Sequence, residues 1–187
     1  MFYNLNFCNA VVSLLFSKLQ TSRKKPRMPI NKDEFRRALG HFASGVSVVT
    51  TRDASGRQHG ITVSAFCSVS LEPPLISVCI EKNTGSHRAF LESDAFVVNI
   101  LKSNQQHISE RFASRVADKF EGVGYSAGIE DLAVLDGALA NLECVLKHCF
   151  DAGDHTIFVG QIEKSHICEG EPLVYFQGNY REIKDFR

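Results

Sequence analysis

The sequence predicts a mainly β protein with few helices, closed into an antiparallel barrel. Beyond Met28 the chain runs through seven segments rich in Val, Ile, Phe and Thr, each bounded by Gly, Pro, Asp or Ser clusters. Only three short stretches carry helical spacing. No repeat, low-complexity tract or linker divides the chain after Met28, so these strands belong to one sheet system. Closure is the simplest way to dispose of its edges. At 187 residues, 44% hydrophobic and 22% charged, the chain can bury a core without staples.

The elements follow in order. Asn31-Lys32-Asp33-Glu34 places a capping acceptor and two carboxylates at a helix start, with Phe35, Leu39 and Phe42 expected on one face. Gly40 and Gly45 end that helix. Strands are expected over 46–51, 61–66, 75–80, 96–101, 139–150, 156–167 and 173–176. Residues 52–57 (RDASGR) read as a hairpin turn, and 151–154 (DAGD) as another. Two short helices are expected over 85–92 and 104–113, the second with Ile108 and Phe112 at helical spacing. Residues 114–137 hold many glycines and read as a long loop, a feature that often marks a functional cover.

Bulk properties exclude several classes. Lys plus Arg equals Asp plus Glu at 21 each, so nothing points to nucleic acid. None of the six cysteines forms a CxxC pair, and most lie in apolar runs; they read as reduced thiols of a cytoplasmic protein. Residues 1–27 lack any acid. Their apolar part is interrupted by Asn4, Asn6, Asn9, Ser13 and Ser17, which suits neither a membrane span nor a signal peptide. A targeting leader and a surface anchor are alternatives. The reading adopted is that Met28-Pro29 begins the domain, over 28–187, and that residues 1–27 are an extension.

No GxxxxGK[ST] loop, GxGxxG turn, HExxH helix or GxSxG elbow is present, and the seven histidines show no metal-ligand spacing backed by a third ligand. Three constellations remain. Residues 60–74 (GITVSAFCSVSLEPP) alternate small hydroxyl and apolar side chains. That lets a flat ligand approach the backbone, but it also describes a half-exposed strand with Thr and Ser toward solvent. Residues 82–88 (KNTGSHR) join a strand to a helix start and suit either a phosphate or an ordinary cap. In 153–161 (GDHTIFVGQ), His155 opens a strand after a Gly-Asp turn, at a pocket or merely at a rim.

Taken together and in this order, the three stretches resemble the short-chain flavin reductases, the reductase components of two-component flavin-dependent monooxygenases. LGHFASGVSVVTT (39–51) and LVYFQGNYR (173–181) agree with the same family, so the similarity covers residues 28–181. The resemblance implies an FMN-binding split β-barrel, normally a homodimer. Its cofactor would be FMN, FAD or riboflavin, with NADH or NADPH as hydride donor. By position, Thr62, Ser64, Ala65, Cys67, Ser68 and Val69 would line the flavin. Lys82, Asn83, Ser86 and Arg88 would approach its phosphate. Ser44, Gly45 and Val46 would lie near the ring and nicotinamide pocket, and Tyr180 near the same site. His155 would face the nicotinamide nucleotide.

The implied reaction passes a hydride from nicotinamide to flavin. It needs no strong acid or nucleophile from the protein, which agrees with finding none. A flavin-binding redox protein without steady turnover is one alternative. A pyridoxamine-phosphate-oxidase-like enzyme is another; it calls for a cluster of Arg and Lys that the sequence does not display.

Overall fold

The computed structural model describes residues 30–183. Residues 1–27, read above as an extension, lie outside the described residues. The chain divides into one unit ending at Leu39 and a second beginning at Gly40. In the first, helix α1 (Lys32–Leu39) starts as its cap predicts: Asn31 Oδ1 accepts the Glu34 N–H at 2.8 Å. The helix stops at Leu39, so Phe42 lies beyond it rather than on its face.

The second unit holds twelve strands: β1 (Ser44–Gly45), β2 (Ser47–Arg52), β3 (Gln58–Val63), β4 (Phe66–Ser70), β5 (Leu75–Glu81), β6 (Ala95–Ile100), β7 (Tyr125–Ala127), β8 (Ala133–Leu135), β9 (Ala140–Ala152), β10 (His155–Ile167), β11 (Val174–Phe176) and β12 (Asn179–Arg181). Helix α2 (His87–Glu92) precedes β6, and α3 (Gln106–Ala113) follows it. Seven strands form one antiparallel sheet in the order β3-β2-β6-β9-β10-β5-β4. Its two edge strands are consecutive in the chain, joined only by Ser64 and Ala65. In a flat sheet they would stand about 29 Å apart. The connection spans at most about 11 Å. The sheet must therefore curl until its edges meet, which makes it a barrel.

Strand β2 shows how the layers stack. Val49 points into a core with Ile76, Val78, Ile80, Phe96, Val98 and Phe158, while its neighbour Val48 packs with Leu101, Ile108, Phe112 and Leu135 on the other side. Residues 47–51 are all buried, because α3 and the segment after it cover the outside of the barrel here. A smaller sheet, β1-β11-β12, continues from this region.

Two expectations are corrected. The single strand expected over 61–66 is two: β3 ends at Val63, and Phe66 begins β4. The stretch 114–137 is not one plain loop. Its second part contains the β7-β8 pair, with Leu132, Ala133 and Leu135 fully or nearly buried.

Candidate functional site

Three segments meet beside β3: the β2–β3 turn, the loop before α2, and the residues after α3. Asp53 organises the first. Its carboxylate accepts the N–H groups of Ser55 (2.9 Å) and Arg57 (3.1 Å), the Ser55 hydroxyl (2.6 Å) and His59 Nε2 (2.8 Å). The Ser55 hydroxyl first, and His59 next, hold this carboxyl well below its usual range. His59 is thereby fixed near the start of β3.

Gly60 ties the other two segments to that strand. Its carbonyl accepts the Ser86 hydroxyl at 3.1 Å and the Lys119 ammonium at 3.2 Å. Lys119 donates again to Phe112 O at 2.7 Å, and burial lowers its pKa from the ordinary lysine value. Residue 60 has to be glycine for this approach, since a Cβ there would stand 2.4 Å from the Phe112 ring. Between these walls opens a cavity of about 990 Å³, lined by Arg57, His59, Gly60, Asn83, Ser86, Arg115 and Lys119 among others. The sequence displays no basic cluster, but folding assembles one by bringing Arg57 to Arg115 and Lys119, about sixty residues on.

The cavity reaches Ile61. From there the chain leads to an open ledge on which Ser64, Ala65, Cys67, Ser68 and Val69 are all exposed. Strand β4 pairs only with β5, so part of its backbone is free to meet a ligand. The Ser64 and Ser68 hydroxyls have no partner among the described residues. That of Thr62 donates to Ser109 O at 2.6 Å, and the Ser109 hydroxyl bonds Tyr180 Oη at 2.8 Å. The structure thus brings Thr62 and Tyr180 together on α3.

A family model for the flavin reductase like domain matches residues 39–184. The chain belongs to the flavin reductase family. It is 37% identical over 156 residues to HsaB, the reductase subunit of a flavin-dependent monooxygenase from Rhodococcus jostii, covering 83% of this chain and 80% of that one. Over 150 residues it is 38% identical to the FMN reductase (NADH) SmoA of Agrobacterium fabrum, covering 80% and 85%. Among solved structures, the NADH:FAD oxidoreductase SgcE6 of Streptomyces globisporus, in complex with NAD and FAD fragments, superposes with a TM-score of 0.78 at 31% identity. That match covers 82% of this chain and 93% of the other.

The donor set of this flavin reductase domain fits a flavin. The ledge carries no side chain larger than valine at its exposed positions, so a flat ring can reach main chain. The neighbouring cavity offers ammonium, guanidinium and hydroxyl donors to a phosphorylated tail. Of the four residues expected at the phosphate, Asn83 and Ser86 line the cavity. Lys82 and Arg88 do not; Lys82 pairs with Asp151 and Gly153 O, and Arg88 with Glu92 at 2.6 Å. Helix α2 is only six residues long, and the Ser86 hydroxyl makes no cap bond, so the cations of the cavity, not a helix end, supply its positive charge. Sequence reasoning passed over those cations, Arg57, Arg115 and Lys119. The only signal was that two of them fall in the stretch read as a cover.

The remaining candidates form a second group. Ser44 and Gly45 pair with Tyr175 and Val174, and the Tyr175 ring meets Tyr180 edge-on at 5.4 Å. Val46 is buried in the outer core. His155 opens β10 opposite Glu81, next to the loop before α2, with Nδ1 2.7 Å from Asp154 Oδ1. An ionised carboxylate only accepts, so Nδ1 carries the proton and Nε2 is left for another partner.

Proposed function

We propose that this flavin reductase transfers a hydride from NADH to a flavin held along residues 62–69, with its phosphorylated tail in the cavity beside Gly60. One observation carries the reading: the exposed small-residue ledge runs directly into the cationic cavity. A bound flavin supplies the redox chemistry, accepting the hydride and passing electrons on. The chain's own groups bind and orient. Hydroxyls of Ser64 and Ser68 and the free backbone edge of β4 meet the ring, while Ser86 and Lys119 meet the tail.

His155 positions the nicotinamide. Lys82 stiffens the hairpin that presents it, through Asp151 and the Gly153 carbonyl, and Asp154 leaves Nε2 to accept from a carboxamide N–H. The names of the relatives, an NADH-dependent FMN reductase and a monooxygenase subunit, support NADH as donor and a flavin-dependent monooxygenase as receiver of the reduced flavin. We also propose a homodimer, since a ring on an open ledge needs a cover to exclude water and Val69 and Leu71 stand exposed beside it. Cytoplasmic location is supported by the five described cysteines, all unpaired.

Mixing the protein with NADH and FMN, FAD or riboflavin under air tests the reading. Continuous NADH oxidation is expected; flavin binding without turnover would leave only a carrier. His155→Ala should raise the KM for NADH about tenfold or more, the worth of a good hydrogen bond, and leave flavin affinity nearly unchanged. Equal loss of both would remove His155 from the nicotinamide.

A further inference from the structure

We propose that Cys168 and His166 form a thiol–imidazole pair that hydrogen peroxide oxidises, a modification site in a second cavity that shares no lining residue with the first. Strand alternation builds it. Lys164 and His166 stand two apart at the end of β10, and Cys168 follows at the same spacing, so the three side chains share one face. All three line this cavity of about 370 Å³. Register sets Asn141 opposite His166 and Glu143 opposite Lys164, and Asp136, just after β8, also lines it. His166 Nε2 lies 3.3 Å from the Cys168 sulfur. With the ring proton on Nδ1, Nε2 accepts the S–H. Glu143 is committed elsewhere. It is nearly fully buried, takes Lys164 at 3.2 Å and accepts the Ile129 N–H at 2.6 Å.

The pair singles out one thiol. Burial first of all pushes Cys79, Cys144 and Cys149 up from the ordinary thiol value, Cys144 to about 12. Cys67 donates its S–H to the Ser68 carbonyl at 3.1 Å, an acceptor that cannot take the proton. Of the five described cysteines, only Cys168, half-buried, has an imidazole within hydrogen-bond reach. The oxidant comes from the protein's own activity, since reduced flavin that meets dioxygen yields hydrogen peroxide. Asp136 and Glu143 outnumber the one lysine of the cavity, which favours a small neutral oxidant over an anionic one. The step balances. His166 takes the thiol proton, and a sulfur electron pair forms an S–O bond to one peroxide oxygen as the O–O bond breaks. The departing hydroxide collects the proton from His166 and leaves as water. Sulfur is oxidised to the sulfenic acid, and peroxide is reduced.

Treating the full-length, thiol-reduced protein with stoichiometric hydrogen peroxide, trapping sulfenic acid with dimedone and mapping the peptides by mass spectrometry tests this. Cys168 should carry the adduct at least about tenfold faster than Cys67 or Cys149, although both of those are more exposed. His166→Gln keeps a polar side chain at an exposed position but supplies no base. It should slow Cys168 labelling at least about tenfold, less than a positioned general base can contribute. NADH oxidation by the unoxidised variant should match that of the parent protein, which separates a lost base from a damaged fold. Comparable labelling of Cys67, Cys149 and Cys168 would mean that exposure alone decides, and would overturn the inference. So would an unchanged Cys168 rate in His166→Gln, which would take the imidazole out of the reaction.

Discussion

Residues 114–120 and 125–138 belong to one excursion from the barrel, but the two parts are held in different ways. The later part is bolted down. Thr50 Oγ1 donates to Ala133 O, Gln58 bonds both Asp131 O and the Ala133 N–H, Gln105 donates to Asp136 O, and the Leu135 N–H donates to Asn99 Oδ1. Leu132, Ala133, Leu135 and Ala138 are buried beneath these bonds. The earlier part carries Arg115, Val116, Ala117 and Asp118 in the open, attached mainly by their own backbone carbonyls and by Lys119. The difference separates tasks. Buried polar bonds fix where the later part sits, while the earlier part keeps most of its side chains in the open beside the cavity.

The largest expected effect comes from breaking the bolted part. Asn99 is fully buried; it donates to Val48 O at 3.0 Å and Thr50 Oγ1 at 3.3 Å, and accepts from Leu135 N at 2.9 Å and Asn141 Nδ2 at 2.8 Å. Asn99→Ala strands those partners without water. It should cost on the order of 3 kcal/mol, roughly 6–12 °C in Tm. Thermal unfolding measures it, and a change under about 0.5 kcal/mol would mean the network does not hold the cover.

Gly60→Ala comes next and touches both parts of the comparison. The new Cβ would meet Phe112, which is fully buried and packs edge-on against Phe120 at 5.0 Å. Overpacking of this kind costs about 1–3 kcal/mol. Because Ser86 and Lys119 both bond the Gly60 carbonyl, flavin affinity should fall with stability. Loss of stability with affinity intact would show that Gly60 serves packing alone.

Arg115→Gln sharpens the comparison from the other side. An exposed side chain with no partner among the described residues should change stability by less than about 0.5 kcal/mol, so any loss of flavin binding could not be read as unfolding.

How much of this was legible depends on the range of the interactions. Strand β5, the β9–β10 hairpin around Gly153 and the Asn31 cap are local patterns, and the sequence displays them. Strands β2 and β6 show no alternation of polar and apolar residues because both faces are buried. Val48 and Val49 point into two different cores, and the polar Ser47, Thr50, Thr51 and Asn99 are buried as well. The break between β3 and β4 was hidden because Ser64 and Ala65 carry no Gly or Pro signal. Strands β7, β8 and β12 are three residues each, too short for a period. In the site, Arg88 could be seen to have Glu92 four residues on, but the pairing of Lys82 with Asp151 is purely tertiary. The approach of Arg57 to Arg115 and Lys119 is equally tertiary, and no pattern along the chain announces it.

The smallest effect is a pH dependence at the start of α2, beside the loop that precedes it. His87 Nε2 lies 2.8 Å from Thr156 Oγ1, with the imidazole edge toward Phe158. Burial first, and the nearby Lys82 charge second, lower its pKa from the ordinary 6.5. The unfolded chain therefore binds this proton more readily than the folded one. The contribution of neutral His87 is complete above pH 6.5 and is lost as pH falls below it toward the lowered folded value. Asp53, whose pKa is also lowered, acts in a separate window beneath its ordinary 3.8. His87→Gln can keep a hydrogen bond to Thr156 without titrating. Its Tm should vary less than that of the parent protein between pH 7 and about 5, a window set by the ordinary imidazole pKa. Parallel profiles would show that the ring takes its proton inside the fold as easily as outside it, and that this wall of the loop is more open to water than its contacts imply.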